Sequence, residues 1–421
     1  MNLIRISPKD TNLLKDFLEN AGTSLERFRY FASRKFDVLQ YHLVTYILEE
    51  NGKALAYGHL DKEKDTVWLG TCVIESETGK GLGKKIMNAL IEFARKNKIE
   101  KVKLSVDNVN EAAQKLYIQS GFKKTSQLEK FSFYEWGLIE NMEIFVSTLA
   151  LMGKSAEEII SIAKENNFSI EFSSGMPYRE DMEKVFLEAP VKKYAHNYFP
   201  APQKPFVLNL ASKDDETRKR SIQHCINGME LSAKVNAKFF SAHAGFCIDP
   251  KPEELGEKLS RETNIDRDFH WKLFIASIKE VLAKTKHLPL KFLIENNVIA
   301  KMNVYEDGFN PLFCADPDEM LKLIEEINDT RLGILLDTAH LKVSAKTLNF
   351  TKHNAVEKIK DVVACIHHSD NEAEFDNNLI LTKDYWFLEH MDNFYGIPHV
   401  IEVKKISVKS IKEHISLLKS N

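Results

Sequence analysis

The feature that most constrains this chain is a repeated ending. Four short apolar runs in its last third each stop at a residue able to hold a metal ion. They are Phe292-Leu293-Ile294 before Glu295, Ile334-Leu335-Leu336 before Asp337, Val362 to Ile366 before His367, and His399-Val400-Ile401 before Glu402. A carboxylate or imidazole directly after a buried strand is costly to desolvate unless a cation or a partner compensates it. Helix-sized segments separate the four, so several strand ends are expected to converge on one polar centre.

The alternation extends back to residue 142. Strand candidates are Glu143 to Ala150, Ser169 to Phe172, Tyr194 to Tyr198, Phe239 to Ala244, Leu290 to Glu295, Leu332 to Asp337, Val362 to His367 and Val400 to Val403. Helical spacing falls between them at Ser155 to Asn166, Lys219 to Lys234, Asp268 to Thr285, Pro317 to Ile327 and Val356 to Lys360, with a last helix at Val408 to Lys419. Eight such units in roughly 280 residues match a closed β/α barrel, whose active site lies at the C-terminal ends of its strands. An open, doubly wound sheet shares this periodicity and stays as the alternative.

The 421 residues suit two or three domains. A net charge of −3 gives no basic field to hold nucleic acid, and no apolar run approaches the roughly 20 residues that span a bilayer. The N-terminus lacks the apolar core of a signal peptide. Cys72, Cys225, Cys247, Cys314 and Cys365 form no Cys-x-x-Cys pair and read as buried thiols of a reducing compartment. The expectation is a cytoplasmic α/β protein acting on small molecules, with association into an oligomer left open. The pattern changes between Trp136 and Met142, which sets the expected domains at 1–138 and 142–421, joined by a short linker.

In the first of these, the strand Thr71 to Ile74, with Val73 near its end, leads into Glu75-Ser-Glu-Thr-Gly79-Lys80-Gly81-Leu82-Gly83 and then into a helical face at Ile86, Met87, Leu90, Ile91 and Ala94. A glycine-rich turn opening a helix aims unpaired N–H groups at one point, with the positive end of the helix dipole behind them. No Gly-Lys-Ser/Thr closes the turn, so it is not a Walker loop. Further on, Asn110-Glu-Ala-Ala113-Gln-Lys-Leu116-Tyr117-Ile-Gln-Ser-Gly121-Phe122 follows the strand Lys103 to Val106, with Asn110 suited to an N-cap and Gly121 to a helix stop.

These two motifs in this order resemble the GNAT family of acetyl-CoA-dependent N-acyltransferases over residues 1 to 138. The resemblance implies a GNAT α/β fold and acetyl-CoA as cofactor. It places Val73, Gly79, Lys80, Gly81, Leu82 and Gly83 around the cofactor pyrophosphate and Asn110 near the pantetheine arm. It makes Tyr117 the acid that protonates the departing thiolate, since expulsion of a thiolate is helped by proton delivery. Thr78 stands where the family usually has Arg or Gln. Tyr117 also has a packing role available against Phe122. Glu75 and His59 are candidates for the base, each with a plain structural reading beside it.

The second region resembles the xylose-isomerase-like barrel superfamily. The matching stretches are His243-x-Gly245, Leu293-Ile-Glu295-Asn296, Leu336-Asp337-Thr-Ala-His340, His367-His-Ser-Asp370-Asn371 and Ile401-Glu402. Glu295, Asp337, His367 and Glu402 form a mixed oxygen and nitrogen shell suited to Mn, Mg, Co or Zn. His196, His243 and His340 are candidates for a second metal or for substrate, with His340 equally able to orient a ligand. Glu171 holds the corresponding place on the second strand, where it can instead pair with a lysine. His368 points to the opposite face from His367 and reads as structural.

For the isomerases and epimerases of this group, the resemblance implies two glutamates, here Glu295 and Glu402, that move a proton across a metal-held sugar. The superfamily also contains endonuclease IV-type phosphodiester hydrolases, which use several zinc ions and an Asp-x-His after the seventh strand. This chain has Asp376-Asn377-Asn378 there. The leading expectation is a bifunctional acetyltransferase and sugar (phosphate) isomerase or epimerase, with an amino sugar of a surface glycan as a shared substrate type. An endonuclease IV-like hydrolase with a modifying domain, and a ligand-binding protein with inactive sites, are the alternatives.

Overall fold

The computed structural model describes residues 1–138, 142–173 and 175–420. Its contacts fall into two compact units, Met1–Met142 and Glu143–Asn421. The expected linker includes 139–141, which lie outside the described residues, as does position 421. Among the described residues, no helix is long and apolar enough to cross a membrane. All five cysteines are buried and free.

In the first unit β1 (Asn2–Arg5), α1 (Asn12–Asn20) and α2 (Ser24–Arg27) precede β2 (His42–Glu50), β3 (Lys53–Glu63) and β4 (Thr66–Val73). Then come α3 (Leu82–Lys96), β5 (Lys101–Asp107), α4 (Glu111–Gln119), β6 (Lys123–Gln127) and β7 (Phe131–Gly137). The sheet order is β1-β2-β3-β4-β5-β7-β6. Its pairings are antiparallel except between β4 and β5, which run parallel and are connected through α3. That parallel pairing covers Val67↔Val102 and Trp68↔Lys103. Beyond Trp68 the two strands separate, which leaves the C-terminal half of β4 with an open edge toward β5.

The second unit contains β8 (Ile144–Ser147), α5 (Ala156–Asn166), β9 (Ser169–Phe172), α6 (Met182–Glu188), β10 (Lys193–Ala195), α7 (Asp215–Lys234), β11 (Phe239–His243) and α8 (Arg267–Lys284). It continues with β12 (Lys291–Glu295), α9 (Pro317–Ile327), β13 (Leu332–Asp337), α10 (Thr338–Leu348), α11 (Lys352–Ile359), β14 (Val363–His368), β15 (His399–Ile401) and α12 (Val408–Lys419). The eight strands are parallel neighbours in the order β10-β9-β8-β15-β14-β13-β12-β11. A bridge between His196 and Ser241 joins the two ends of that row, and Asn197 N donates to Ser241 O at 2.7 Å beside it. The ring is thereby a barrel, and the open-sheet alternative is set aside.

In the second unit two helices, α6 and α10, were not expected. Helix α10 begins immediately after Asp337, because the Asp337 carboxylate accepts from His340 N at 2.8 Å and caps the helix. Strand β8 stops at Ser147, short of the expected Ala150, where the Ser147 hydroxyl caps a 3₁₀ turn, Thr148–Leu151. Strand β10 stops at Ala195, short of the expected Tyr198, because Asn197 takes a positive φ of 50° that no strand residue adopts.

An apolar layer fills the barrel: Phe145, Tyr194, Phe239, Leu293, Leu335, Cys365 and Val400. Tyr194, Leu293, Leu335, Cys365 and Val400 each stand two residues before His196, Glu295, Asp337, His367 and Glu402. Side chains two apart on a strand share a face. The residues that pack the barrel interior therefore form the floor of the polar centre above them.

Candidate metal centre and cofactor loop

The strand-end residues do converge. One ligand atom from each of Glu295, Asp337, His367 and Glu402 lies within 4.8 Å of the others, and the same holds for His196, His243 and Glu295, and for Glu171, His196 and His367. The three groups overlap at Glu295, His196 and His367. All but His243 and Glu402 are buried, and the Glu402 side chain is 13% exposed. Among the described residues, no Lys or Arg pairs with any of these carboxylates.

Glu295 is the hub. Its Oε1 lies 3.7 Å from His367 Nδ1 and 3.7 Å from His340 Nδ1, while its Oε2 lies 3.2 Å from His196 Nε2 and 3.6 Å from His243 Nε2. Oε2 nevertheless has no aligned hydrogen bond, and neither does Asp337 Oδ2. The other Asp337 oxygen is occupied by its helix cap. His196 Nδ1 meets Ser241 Oγ at 2.8 Å. When Nδ1 donates there, Nε2 turns a lone pair toward Glu295 Oε2. Two orphaned, buried carboxylate oxygens, one of them facing the His196 imidazole, are what a cation would satisfy, so the donor set fits a divalent metal.

Around these atoms, other residues fix the orientation. His367 Nδ1 meets Glu402 Oε2 at 2.7 Å and Nε2 meets Glu171 Oε2 at 2.7 Å, where Tyr194 OH also donates at 2.7 Å. Glu171 therefore pairs with His367 and Tyr194, not with a lysine. A carboxylate holding the far nitrogen of an imidazole fixes its ring and raises its basicity. His340 uses both nitrogens otherwise: Nδ1 meets the Asn296 carbonyl at 2.8 Å and Nε2 meets Asp376 Oδ2 at 3.2 Å. It thus ties Asp376 to the centre. His368, as expected from its strand face, is buried away from the centre and bonds Tyr385 OH and His399.

The electrostatics express a site short of positive charge. Burial pushes Asp337 up to about 8; His340 opposes this, and Asp376, Glu402 and Glu295 add to it. Burial would also raise Glu295, but the His243 and His196 imidazoles overcome it and hold the carboxyl low. Burial disfavours the charged form of His367, yet Glu171 and Glu402 hold it well above the ordinary imidazole range. His243, with no such pair, is lowered by burial to about 4.

Sequence reading missed Tyr194, Ser241 and Asn296. Tyr194 and Ser241 were detectable as residues two positions before His196 and His243 on the same faces. Asn296 accepts from Asp337 N at 2.7 Å through Oδ1, and only the paired strands make that visible.

In the first unit, the expected cofactor residues lie at the end of β4, in the turn that follows it and at the start of α4. Gly79 and Gly81 have φ values of 79° and 80°, the left-handed region that disfavours side chains, and a Cβ on either would meet nothing within 4 Å. Both face open space, as a loop that cradles a phosphate must. Gly81 is the N-cap of α3, and Lys80 Nζ bonds Glu77 at 2.9 Å. Gly83 has another constraint: a Cβ would sit 3.2 Å from Leu116 Cδ2 and 3.7 Å from Val73 Cγ2, so its smallness docks α3 against α4 and β4. Leu82 is buried.

Asn110 Oδ1 accepts from Ala113 N at 3.3 Å and caps α4. Tyr117 is buried on that helix, its ring centroid 6.2 Å from those of Phe122 and Tyr134. Burial raises its hydroxyl above the ordinary tyrosine value, with Cys72 adding to the shift, so it carries its proton at neutral pH. Glu75 is committed elsewhere: its Oε2 accepts from Thr23 N at 3.0 Å.

Comparison with known proteins agrees with both halves. The family model described as xylose isomerase-like TIM barrel matches residues 137–414, and the acetyltransferase (GNAT) family model matches residues 12–122. A protein of Sulfurihydrogenibium sp. (strain YO3AOP1) named "Probable endonuclease 4" is 25% identical over 237 residues, 51% of this chain and 74% of that protein. An uncharacterised protein of Methanocaldococcus jannaschii is 26% identical over 176 residues, 42% of this chain and 57% of its own length. Among solved structures, a D-tagatose 3-epimerase-like protein superposes with a TM-score of 0.51 at 20% identity, over 66% of this chain and 99% of that one, a likeness of fold. The chain belongs to the xylose isomerase-like TIM barrel family and carries a GNAT-family acetyltransferase region before the barrel.

Proposed function

We propose that this chain carries two catalytic sites: an acetyl-CoA-dependent N-acyltransferase in 1–138, and a divalent-metal-dependent isomerase or epimerase of a sugar or sugar phosphate in 142–421. The observation that carries the barrel reading is the placement of two glutamates in one donor set. Glu295 ends β12 and Glu402 follows β15, three places apart in a ring of eight, so they approach a central ligand from different sides. Moving a proton between neighbouring carbons needs one group to remove it and another to return it.

Glu295, Asp337, His367 and Glu402 would hold the metal, as Mn, Mg, Co or Zn. When bound, the ion stabilises charge developing on adjacent sugar oxygens and so acidifies the C–H between them. Glu402, the more accessible of the two carboxylates, would take up and return the proton, oriented by the contact of its Oε2 with His367 Nδ1. Glu171 and Tyr194 keep the His367 ring in place. In the acyltransferase, acetyl-CoA supplies the activated acyl group. The backbone from Gly79 to Gly83 receives its pyrophosphate, and Tyr117 delivers a proton to the sulfur. The joint substrate type would be an amino sugar, handled in the cytoplasm during glycan synthesis.

Phosphodiester hydrolysis is the second reading. It is favoured by the His196, His243 and Glu295 set, which offers a second metal position, and by the names of the endonuclease 4 relatives. Asn378, where that group has a histidine, counts against it. The test is a metal-loaded protein incubated in D2O with ketoses, aldoses and their phosphates, and separately with an abasic-site duplex. Solvent deuterium entering the sugar at a carbon next to the carbonyl is expected. Cleavage of the duplex without sugar exchange would replace this reading by the second.

A further inference from the structure

A second polar cluster lies in the first unit, on one face of β3 and β4. On β3, Tyr57, His59 and Asp61 alternate with Gly58 and Leu60, so the three share one face. The β3–β4 register pairs Tyr57 with Cys72 and His59 with Gly70, which puts Gly70 and Cys72 on that face as well. A Cβ on Gly70 would lie 2.3 Å from His59 Cε1. Glycine at this position thus lets the His59 ring lie directly over β4, just past Trp68, where β4 leaves β5. Tyr117 stands beside Cys72, two residues further along the same strand.

The cluster is wired in one direction. Thr45 Oγ1 meets His42 Nδ1 at 2.7 Å, His42 Nε2 meets Tyr30 OH at 2.7 Å, and Tyr30 OH donates to Asp61 Oδ2 at 2.7 Å. The chain of bonds ends on a carboxylate that is 4% exposed. Among the described residues, Asp61 has no Lys or Arg partner; Arg34 pairs instead with Glu63 at 3.6 Å, its guanidinium 4.5 Å over the Tyr30 ring. His42 does not supply the missing charge, because burial lowers it to about 4 and keeps it neutral. His59 is 1% exposed, and its Nδ1 has no hydrogen-bond partner.

Aromatic faces enclose these groups. The Tyr30 and His59 rings lie 4.2 Å apart, His42 stacks on His59 at 4.5 Å, and Phe28 and Phe31 each approach Tyr57 at 5.5 Å. Tyr30, Phe28 and Phe31 are half-buried, on the segment between α2 and β2. A buried carboxylate without a counter-charge, an orphaned imidazole nitrogen and π-faces are three deficits that one ammonium group meets at once. It brings a positive charge, three N–H donors and a cation for the ring faces. Donor atoms of His42, His59 and Asp61 also lie within 4.8 Å of one another. Both His42 nitrogens and Asp61 Oδ2 are already bonded, however, which leaves too few free lone pairs for a metal shell, whereas an ammonium also uses the ring faces.

We propose that this cluster is the acyl-acceptor site, and that it recognises a primary ammonium carried on a ring-shaped body, with Asp61 and His59 binding the amine and the aromatic side chains stacking on the ring. The proposal rests on the acetyl-transfer reading above. It is tested on the full-length protein by following thiol release from acetyl-CoA with a panel of primary amines that includes amino sugars and arylalkyl amines. Acetyl-CoA affinity is measured separately. For the best amine, Asp61→Asn and His59→Gln are expected to raise KM about 10- to 100-fold while acetyl-CoA affinity changes by less than about twofold, which also reports that the variants fold.

If the wild type acetylates amines and both variants keep its KM, the acceptor site is elsewhere and the acetyl-transfer reading survives. If the wild type neither binds acetyl-CoA nor acetylates any amine, both readings fall. Zinc bound to Glu402→Ala protein and lost on adding Asp61→Asn would overturn the proposal in favour of a metal site.

Discussion

The barrel centre and the glycine turn before α3 are built in opposite ways. In the barrel, side chains do the work: buried carboxylates and imidazoles from seven strands crowd one point and leave Glu295 Oε2 and Asp337 Oδ2 without partners. In the GNAT-family region, the proposed cofactor turn is mostly backbone: Gly79 and Gly81 take left-handed conformations and keep their surroundings open. A site made of buried charge depends on a bound ion for its stability, because uncompensated burial costs several kcal/mol per ion. A site made of backbone is complete without its ligand. The two should therefore respond differently to mutation, metal and pH.

The largest expected effect is Glu295→Ala. It removes the residue shared by two donor groups, and several kcal/mol of charge stabilisation with it, so barrel turnover should fall by about 10³-fold or more. Acetyl transfer in the same sample should be unchanged; a parallel loss would break the separation of the two sites. Next, Tyr117→Phe should lower the acetyl-transfer kcat by about 10²-fold, with acetyl-CoA affinity retained. An unchanged kcat would leave Tyr117 with packing alone.

Metal and pH sharpen the contrast further. At a metal concentration 100 times Kd, the folded state should gain about 2.7 kcal/mol, read as a rise in Tm. Asp337 sits at about 8 in the metal-free fold, raised by burial, against about 3.9 when unfolded. A raised acid stabilises the fold while it is protonated, and that contribution is lost as pH rises through about 8. The metal-induced rise in Tm should thus be larger at pH 8 than at pH 6. An equal or reversed difference would contradict the account of Asp337. The smallest effect is Gly81→Ala: a side chain at a φ of 80° costs about 1–2 kcal/mol and should weaken acetyl-CoA about tenfold, with no effect on metal content.

The barrel was legible because its signal is periodic. All eight expected strands form, and the residue ending each of the last four enters the same centre, as buried charge after an apolar run demands. What stayed hidden was the pairing between strands. Glu171 kept a lysine pair as its alternative reading because its real partner, His367, lies 196 residues away. Helix α10 was missed because Asp337 serves twice, as a site residue and as an N-cap, and a run ending in an acid shows only one of these roles. In the GNAT-family region, the motifs picked out the left-handed Gly79 and Gly81 and the N-cap Asn110, while the role of Tyr117 is a proposal. They did not separate the open glycines from Gly83, whose role is a close approach to Leu116. The His59 and Asp61 cluster had no local signature, since Tyr30, His42 and β3 meet only in the fold.

The central claim is that the barrel centre holds a divalent metal through Glu295, Asp337, His367 and Glu402. The most direct measurement is the metal content of the purified chain after chelation and refilling, beside that of Glu402→Ala prepared identically. The account predicts at least about one tightly held divalent ion per wild-type chain, with a clear loss in the variant. A wild-type chain that takes up no stoichiometric ion, or a variant that holds as much as the wild type, would contradict it.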